Sequence, residues 1–154
     1  MIKKPRTKDG TANTIPVSIA KQMTLAFREN QQKLGLTDFT EAAWYPATQI
    51  QQLAKKLTSC KADGLRIYFA RYTKEIINQI NQLPYGDAIS ESYTDQDTLL
   101  LVITKVVNGV PRTDYFTDKQ LTRGHGGGVG ADPYDPENRG DLCPNDCDGK
   151  SPLM

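Results

Sequence analysis

The stretch Thr98-Leu99-Leu100-Leu101-Val102-Ile103-Thr104-Lys105-Val106-Val107-Asn108-Gly109-Val110-Pro111-Arg112-Thr113-Asp114-Tyr115-Phe116 decides the fold. Its first half is the most apolar run of the chain, rich in Leu and β-branched residues and interrupted only by Lys105. Such a run reads as a well-covered strand. Asn108-Gly109 follows at once. A two-residue hairpin turn needs positive φ at both central positions, and Asn-Gly supplies it at least cost. Val110–Phe116 is then the returning strand. Pro111 has no N–H to give to a ladder, so this strand should lie at an edge or carry a bulge near its start.

Working outward, the period changes at Asp63-Gly64 from helical to alternating. Leu65, Ile67 and Phe69 fall on one side of an expected strand, and Arg66, Tyr68 and Arg71 are assigned to the other. Ile76, Ile77, Ile80 and Leu83 suggest a short helix closed by Pro84, and the polar residues 84–97 read as a loop. Upstream, Ile50, Leu53, Ala54 and Leu57 share one face of a helix expected over 47–58. Asp38-x-x-Glu41 resembles a capping box for a short helix ending near Pro46, with Trp44 in the core. Val17, Ile19, Ala20, Met23, Ala26, Phe27 and Leu34 place a further helix over 15–34. Thr14 and Pro16 stand at its start and Gly35 just past its end.

These elements predict an α+β fold. N-terminal helices pack on a small, mostly antiparallel three-stranded sheet, and an irregular Gly/Pro/Asp-rich C-terminal tail follows. The expected organisation is a disordered basic start (1–13), an α+β domain (14–117) and an extended tail (118–154). The tail holds seven of the twelve glycines and four of the nine prolines, and it carries a net negative charge. Residues 1–36 carry a net positive charge. Such a tail orders only by borrowing contacts from the body, a partner chain or an ion.

The formal net charge is +1, so no overall field draws in nucleic acid or a membrane. The basic start is followed by Pro, Asp and Gly rather than an apolar run, so no signal peptide is read and the cytoplasm is the default compartment. Export by a non-classical route stays open. Nothing approaches a membrane span.

Motifs for chemistry fail one by one. His125-Gly126-Gly127-Gly128 resembles an oxyanion-hole tetrad, but no Gly-x-Ser-x-Gly elbow accompanies it. Gly127–Asp132 matches a single turn of a calcium-binding repeat that needs stacked copies. Asp135, Glu137, Gly140 and Asp146 fall on calcium-loop positions, but Arg139 occupies a ligand position. Asp95 and Asp97 sit together in the polar loop, where solvation is the ordinary reading. No catalytic residues are therefore assigned and no cofactor is expected, with zinc or calcium as the only ions to consider. Cys143, Cys147 and His125 are the candidate metal ligands, with Cys60 as the remaining thiol. Free thiols are the favoured state of the Cys-x3-Cys pair, with a disulfide and a metal as alternatives. Arg66, Tyr68, Arg71 and Tyr72 are the candidate interaction residues. Cations beside aromatics can bind a phosphate or a nucleic acid, but the same pattern is the ordinary outer face of a sheet.

Three landmarks occur in order: Gly64-Leu65-Arg66-Ile67-Tyr68-Phe69-Ala70, Leu99–Ile103, and Cys143-Pro144-Asn145-Asp146-Cys147 followed by Ser151-Pro152-Leu153. Together they resemble a group of small proteins from Bacteroidota bacteria, over most of the chain past residue 14. The resemblance implies no activity. It does imply that the Cys-Pro-x-x-Cys end is a designed part of the protein. The functional expectation is a non-enzymatic structural or protein-interaction module. It would assemble with itself, as a homo-oligomer or filament, through the tail or the 110–116 edge strand. The alternative is a small metal-binding or redox protein using Cys143 and Cys147, and an enzyme built from Asp, Arg and Tyr side chains is left open.

Overall fold

The computed structural model describes residues 14–116, 135–143 and Leu153. It is an α+β structure, with elements in the order α1 (Val17–Lys33), β1 (Ala42–Trp44), α2 (Ala47–Ser59), β2 (Gly64–Arg71), α3 (Lys74–Asn81), β3 (Asp97–Val107), β4 (Val110–Asp114) and β5 (Asp141–Cys143). Described residues 14–37 and 153 fall in one compact unit, and 38–116 with 135–143 in another.

In the first unit, α1 starts at Pro16, whose carbonyl accepts from Ile19 and Ala20. It ends in a Schellman motif. Gly35, at φ +78°, donates to Gln32, and Leu36 donates to Gln31. No residue of α1 is buried, and Val17 and Met23 are about three-fifths exposed, at 62% and 60%. Arg28 Nη1 donates to the Leu153 carbonyl at 2.8 Å.

The second unit is built on an antiparallel sheet of order β2-β3-β4. β2 pairs with β3 along its whole length, Ile67 opposite Leu101 and Phe69 opposite Leu99. The hairpin turns at Asn108 (φ +50°) and Gly109 (φ +78°), the double positive φ that Asn-Gly favours. Pro111 lies where the β3–β4 register shifts. Two residues, Pro111 and Arg112, separate the paired Val110 and Thr113, whereas Val106 alone separates Lys105 and Val107. Arg112 takes φ +57° there. The expected edge position and the expected bulge therefore coincide at one proline.

Two apolar clusters hold this unit. Leu53 and Cys60 of the α2 region pack with Leu101 and Ile103 of β3. Tyr72, Ile77, Ile89, Tyr93 and Leu142 form the other, with the Tyr72 and Tyr93 rings stacked at 6.1 Å. α3 is capped by Thr73, whose Oγ1 accepts from the Ile76 amide. Its first-turn Glu75 lies at the positive end of the helix, and its carboxyl is held below the usual range by local hydrogen bonds.

Three local expectations are corrected. Residues 38–45 form no helix; Ala42–Trp44 is strand β1, antiparallel to β5, with the Glu41 amide donating to the Cys143 carbonyl. A helix of that length is marginal alone, and Pro46 disfavours the helical conformation at Tyr45. A partner strand about a hundred residues away decides the matter instead. Trp44 is not core but 56% exposed. The segment 84–97 is not merely a polar loop: it buries Ile89, Tyr93 and Gln96 and forms a 3₁₀ turn at Glu91–Tyr93. The Asn81 amide holds Ile89 there, donating to its carbonyl and accepting from its N–H.

Candidate functional site

The two long edges of the sheet carry the groups of interest. On the β4 side, the strand ends at Asp114 and the chain returns at Glu137 to continue the edge. Glu137 and Leu101 exchange both backbone hydrogen bonds, at 2.8 and 2.9 Å. Side chains then fasten the returning segment. Lys56 Nζ pairs with Glu137 Oε1 at 2.6 Å, and Gln49 donates to the Asn138 carbonyl at 3.1 Å. Asn138 Nδ2 donates to the Leu99 carbonyl at 2.9 Å, while its Oδ1 accepts from the Tyr72 hydroxyl and the Arg139 amide. Arg139, at φ +73°, reaches the Tyr85 carbonyl at 3.2 Å. Its guanidinium lies directly on Gly86, where a Cβ would fall 1.1 Å from Nη1. Gly140 is likewise covered by the Tyr45 ring, 2.7 Å from where a Cβ would stand.

An open cleft of about 850 Å³ lies against this segment, bordered by Gln49, Lys56, Arg71, Tyr85, Asp87 and Glu137 among others. Tyr45 and Tyr72 stand in the same region. Burial pushes the Tyr45 hydroxyl up to about 12, helped by Tyr72 and the Glu137 carboxylate, and burial also raises Tyr72. A phenol held neutral in this way donates a hydrogen bond; it is no base. Tyr45 donates to the Leu99 carbonyl and Tyr72 to Asn138, so both are spent on structure.

The β2 side is different. β2 has no neighbouring strand on its outer side among the described residues. Leu101 turns its N–H and C=O away from β2, towards Glu137. In an antiparallel ladder its partner Ile67 then also points its backbone groups away, to the open edge, as do Leu65 and Phe69. The Leu65 and Ile67 side chains line an apolar groove of about 350 Å³ between β2 and α2, closed by Ile50, Leu53, Leu57 and Leu101. Phe69 is 90% exposed and Ile67 52%.

On the opposite face of β2, Arg66 Nη1 pairs with Asp114 Oδ1 at 2.6 Å and its Nη2 donates to the Arg112 carbonyl at 2.7 Å. The Tyr68 hydroxyl donates to the other Asp114 oxygen. Asp63 accepts from the Arg112 amide and the Thr104 hydroxyl, which hold its carboxyl below the usual range. The cations of this face are thus already partnered. Arg71 shares the parity of Leu65 and Ile67 rather than that of Arg66, and it pairs with Asp97 at 2.8 Å. Tyr72 is 1% exposed and belongs to the core. Of the four expected interaction residues, Arg66 and Tyr68 share a surface, Arg71 lies on the other side, and Tyr72 is not at a surface. Parity within the strand separates the first three; Tyr72 lies just beyond the strand end, where the chain turns inward.

Cys143 is 3% exposed and disulfide-bonded, and Cys60 is a buried free thiol. The expected free thiol at Cys143 is therefore corrected, and its sulfur is not open to a metal. His125 and Cys147 lie outside the described residues. Among the described residues no group of three His, Cys, Asp or Glu side chains could hold a metal ion, and no helix is long and apolar enough to cross a membrane.

No family model matches the chain, and no curated protein or solved structure matches it either. The surface that sequence reading overlooked is the outer edge of β2. Its signal was present in the alternation Leu65-Ile67-Phe69, read there as one side of a strand.

Proposed function

We propose that the protein is a non-enzymatic interaction module that receives another polypeptide strand along the outer edge of β2. One observation carries the reading: Phe69 is 90% exposed on a strand with no outer neighbour among the described residues, in one row with Leu65 and Ile67, which line an apolar groove. An open edge presents unpaired N–H and C=O groups as a template for an added strand. Covering Phe69 alone would contribute about 1.5–3 kcal/mol. The docking strand of this reading is β2 rather than the 110–116 strand. β4 is bulged at Pro111, which lacks a donor.

The metal-or-redox alternative is weaker. Cys143 is a residue 3% exposed, so at its end the disulfide is shielded from the attacking thiolate that exchange requires. The same disulfide favours an oxidising compartment over the cytoplasmic default.

A photo-crosslinking phenylalanine analogue at position 69, illuminated in the producing cells, tests the reading. Discrete adducts are expected, and they should disappear when Ile67→Lys is added. No adducts at position 69 would remove the proposal.

A further inference from the structure

We infer that the strand received at the β2 edge is β2 of a second copy, added antiparallel with Ile67 opposite the partner's Ile67. The inference rests on the strand-addition reading and names its partner.

The register follows from the residues of β2 and its flank. Backbone groups of Leu65, Ile67 and Phe69 face the open edge, so they must meet each other across a two-fold axis. With the axis at Ile67, Leu65 stands opposite the partner's Phe69, and Phe69 opposite the partner's Leu65. The two short apolar rows become one, over the two grooves beside α2. Asp63 stands outside this ladder, since its amide donates to the Thr104 carbonyl and its carboxylate is held by the Arg112 amide and the Thr104 hydroxyl, so the match rests on the apolar row. On the other face this register sets Arg66 opposite the partner's Tyr68, a cation beside an aromatic ring.

Neighbouring registers lose these matches. An axis at Arg66 puts Arg66 against the partner's Arg66, a like-charge pair directly opposite, which destabilises a ladder. An axis at Tyr68 sets Arg71 against the partner's Leu65, a charge against an apolar side chain. A single strand is therefore self-complementary in its apolar row at one register. This is what an isologous two-fold interface requires. The product is a continuous six-stranded sheet, with each copy's β4 at the outside.

Sedimentation of the full chain at about 100 µM should show a dimer. Ile67→Lys, and independently Phe69→Lys at the more exposed position, should weaken it by about thirtyfold or more while circular dichroism stays unchanged. Position is read by trapping. Ile67→Cys should oxidise to a disulfide-linked dimer, because paired Cα atoms there stand about 5.5 Å apart, within disulfide reach. Phe69→Cys alone should not, since its own counterpart lies more than about 13 Å away. Phe69→Cys mixed with Leu65→Cys should cross-link. A monomer at that concentration would overturn the inference, as would trapping through Phe69→Cys but not Ile67→Cys. A monomer whose position-69 photo-adducts contain a different chain overturns the self-pairing and spares strand addition. A monomer without adducts removes both.

Discussion

The β4 side and the β2 side of the same sheet meet the edge problem in opposite ways. On the β4 side a short strand is bulged at Pro111, and the chain then comes back to cover the remaining edge of β3 through Glu137. Every group in that return is spent: Lys56 on Glu137, Asn138 on Leu99 and Tyr72, Arg139 on Tyr85. On the β2 side the longer strand has no outer neighbour among the described residues, and Leu65 and Ile67 line a groove rather than a filled core. An exposed apolar edge is an aggregation hazard that proteins ordinarily blunt with charge, proline or a bulge. β4 carries the proline and the bulge; β2 carries neither, and its two arginines are paired with Asp114 and Asp97. The contrast teaches that the bare edge is specific to one side, which is why a function is read there.

The contrast can be broken at its closed side first, where the largest effect is expected. Leu142 is 1% exposed and sits with Tyr72, Ile77, Ile89 and Tyr93, so Leu142→Ala should cost about 2–5 kcal/mol in urea unfolding. A loss under about 1 kcal/mol would mean that the returning segment is not part of the packed body. A smaller effect belongs to Tyr45. Its hydroxyl titrates near 10 when unfolded and at about 12 when folded, so the folded state holds this proton more tightly. The stability it contributes is full below about pH 10 and is lost as pH rises towards 12. Tyr45→Phe should flatten that alkaline loss in melting experiments; an unchanged alkaline limb would show that the phenol is not buried in solution. The smallest effect is expected on the open side. Phe69→Ser should alter the stability of dilute protein by no more than about 0.5 kcal/mol. A loss of several kcal/mol would mean that Phe69 is covered within its own chain, and the open edge would cease to exist.

How far the fold was legible varies with the range of the interactions concerned. Helices α1, α2 and α3 announced themselves through spacing, and α1 also through Gly35 just past its end, because a helix satisfies its backbone locally; α1 begins at Pro16 with no side-chain cap, not at a Thr14 cap. The β3–β4 hairpin was equally plain, since Asn108-Gly109 encodes its own turn. The helix expected at 38–45 failed because Ala42–Trp44 finds its hydrogen bonds in Asp141–Cys143. No local pattern carries that information. Ile89 and Tyr93 looked like loop residues for a related reason: Asn81 ties the segment down from a neighbouring helix, and burial follows from the tie. The candidate site was half legible. Leu65, Ile67 and Phe69 were recognised as one row, and Arg66 and Tyr68 as another. Whether the apolar row is buried or bare depends on where α2 lies and how much of β2 it covers.

The sequence by itself determined the α+β class, the hairpin, the bulge at Pro111 and the alternation that puts Leu65, Ile67 and Phe69 in one row. Each of these depends on neighbours a few residues apart, where steric and hydrogen-bonding preferences act directly. Only the tertiary structure decided which sheet edge another described segment covers and which it does not. It also turned Tyr72 inward, left Trp44 exposed and returned residues 137–143 to the body. Those outcomes depend on contacts between segments far apart in the chain, and their free energy exists only once the segments have met.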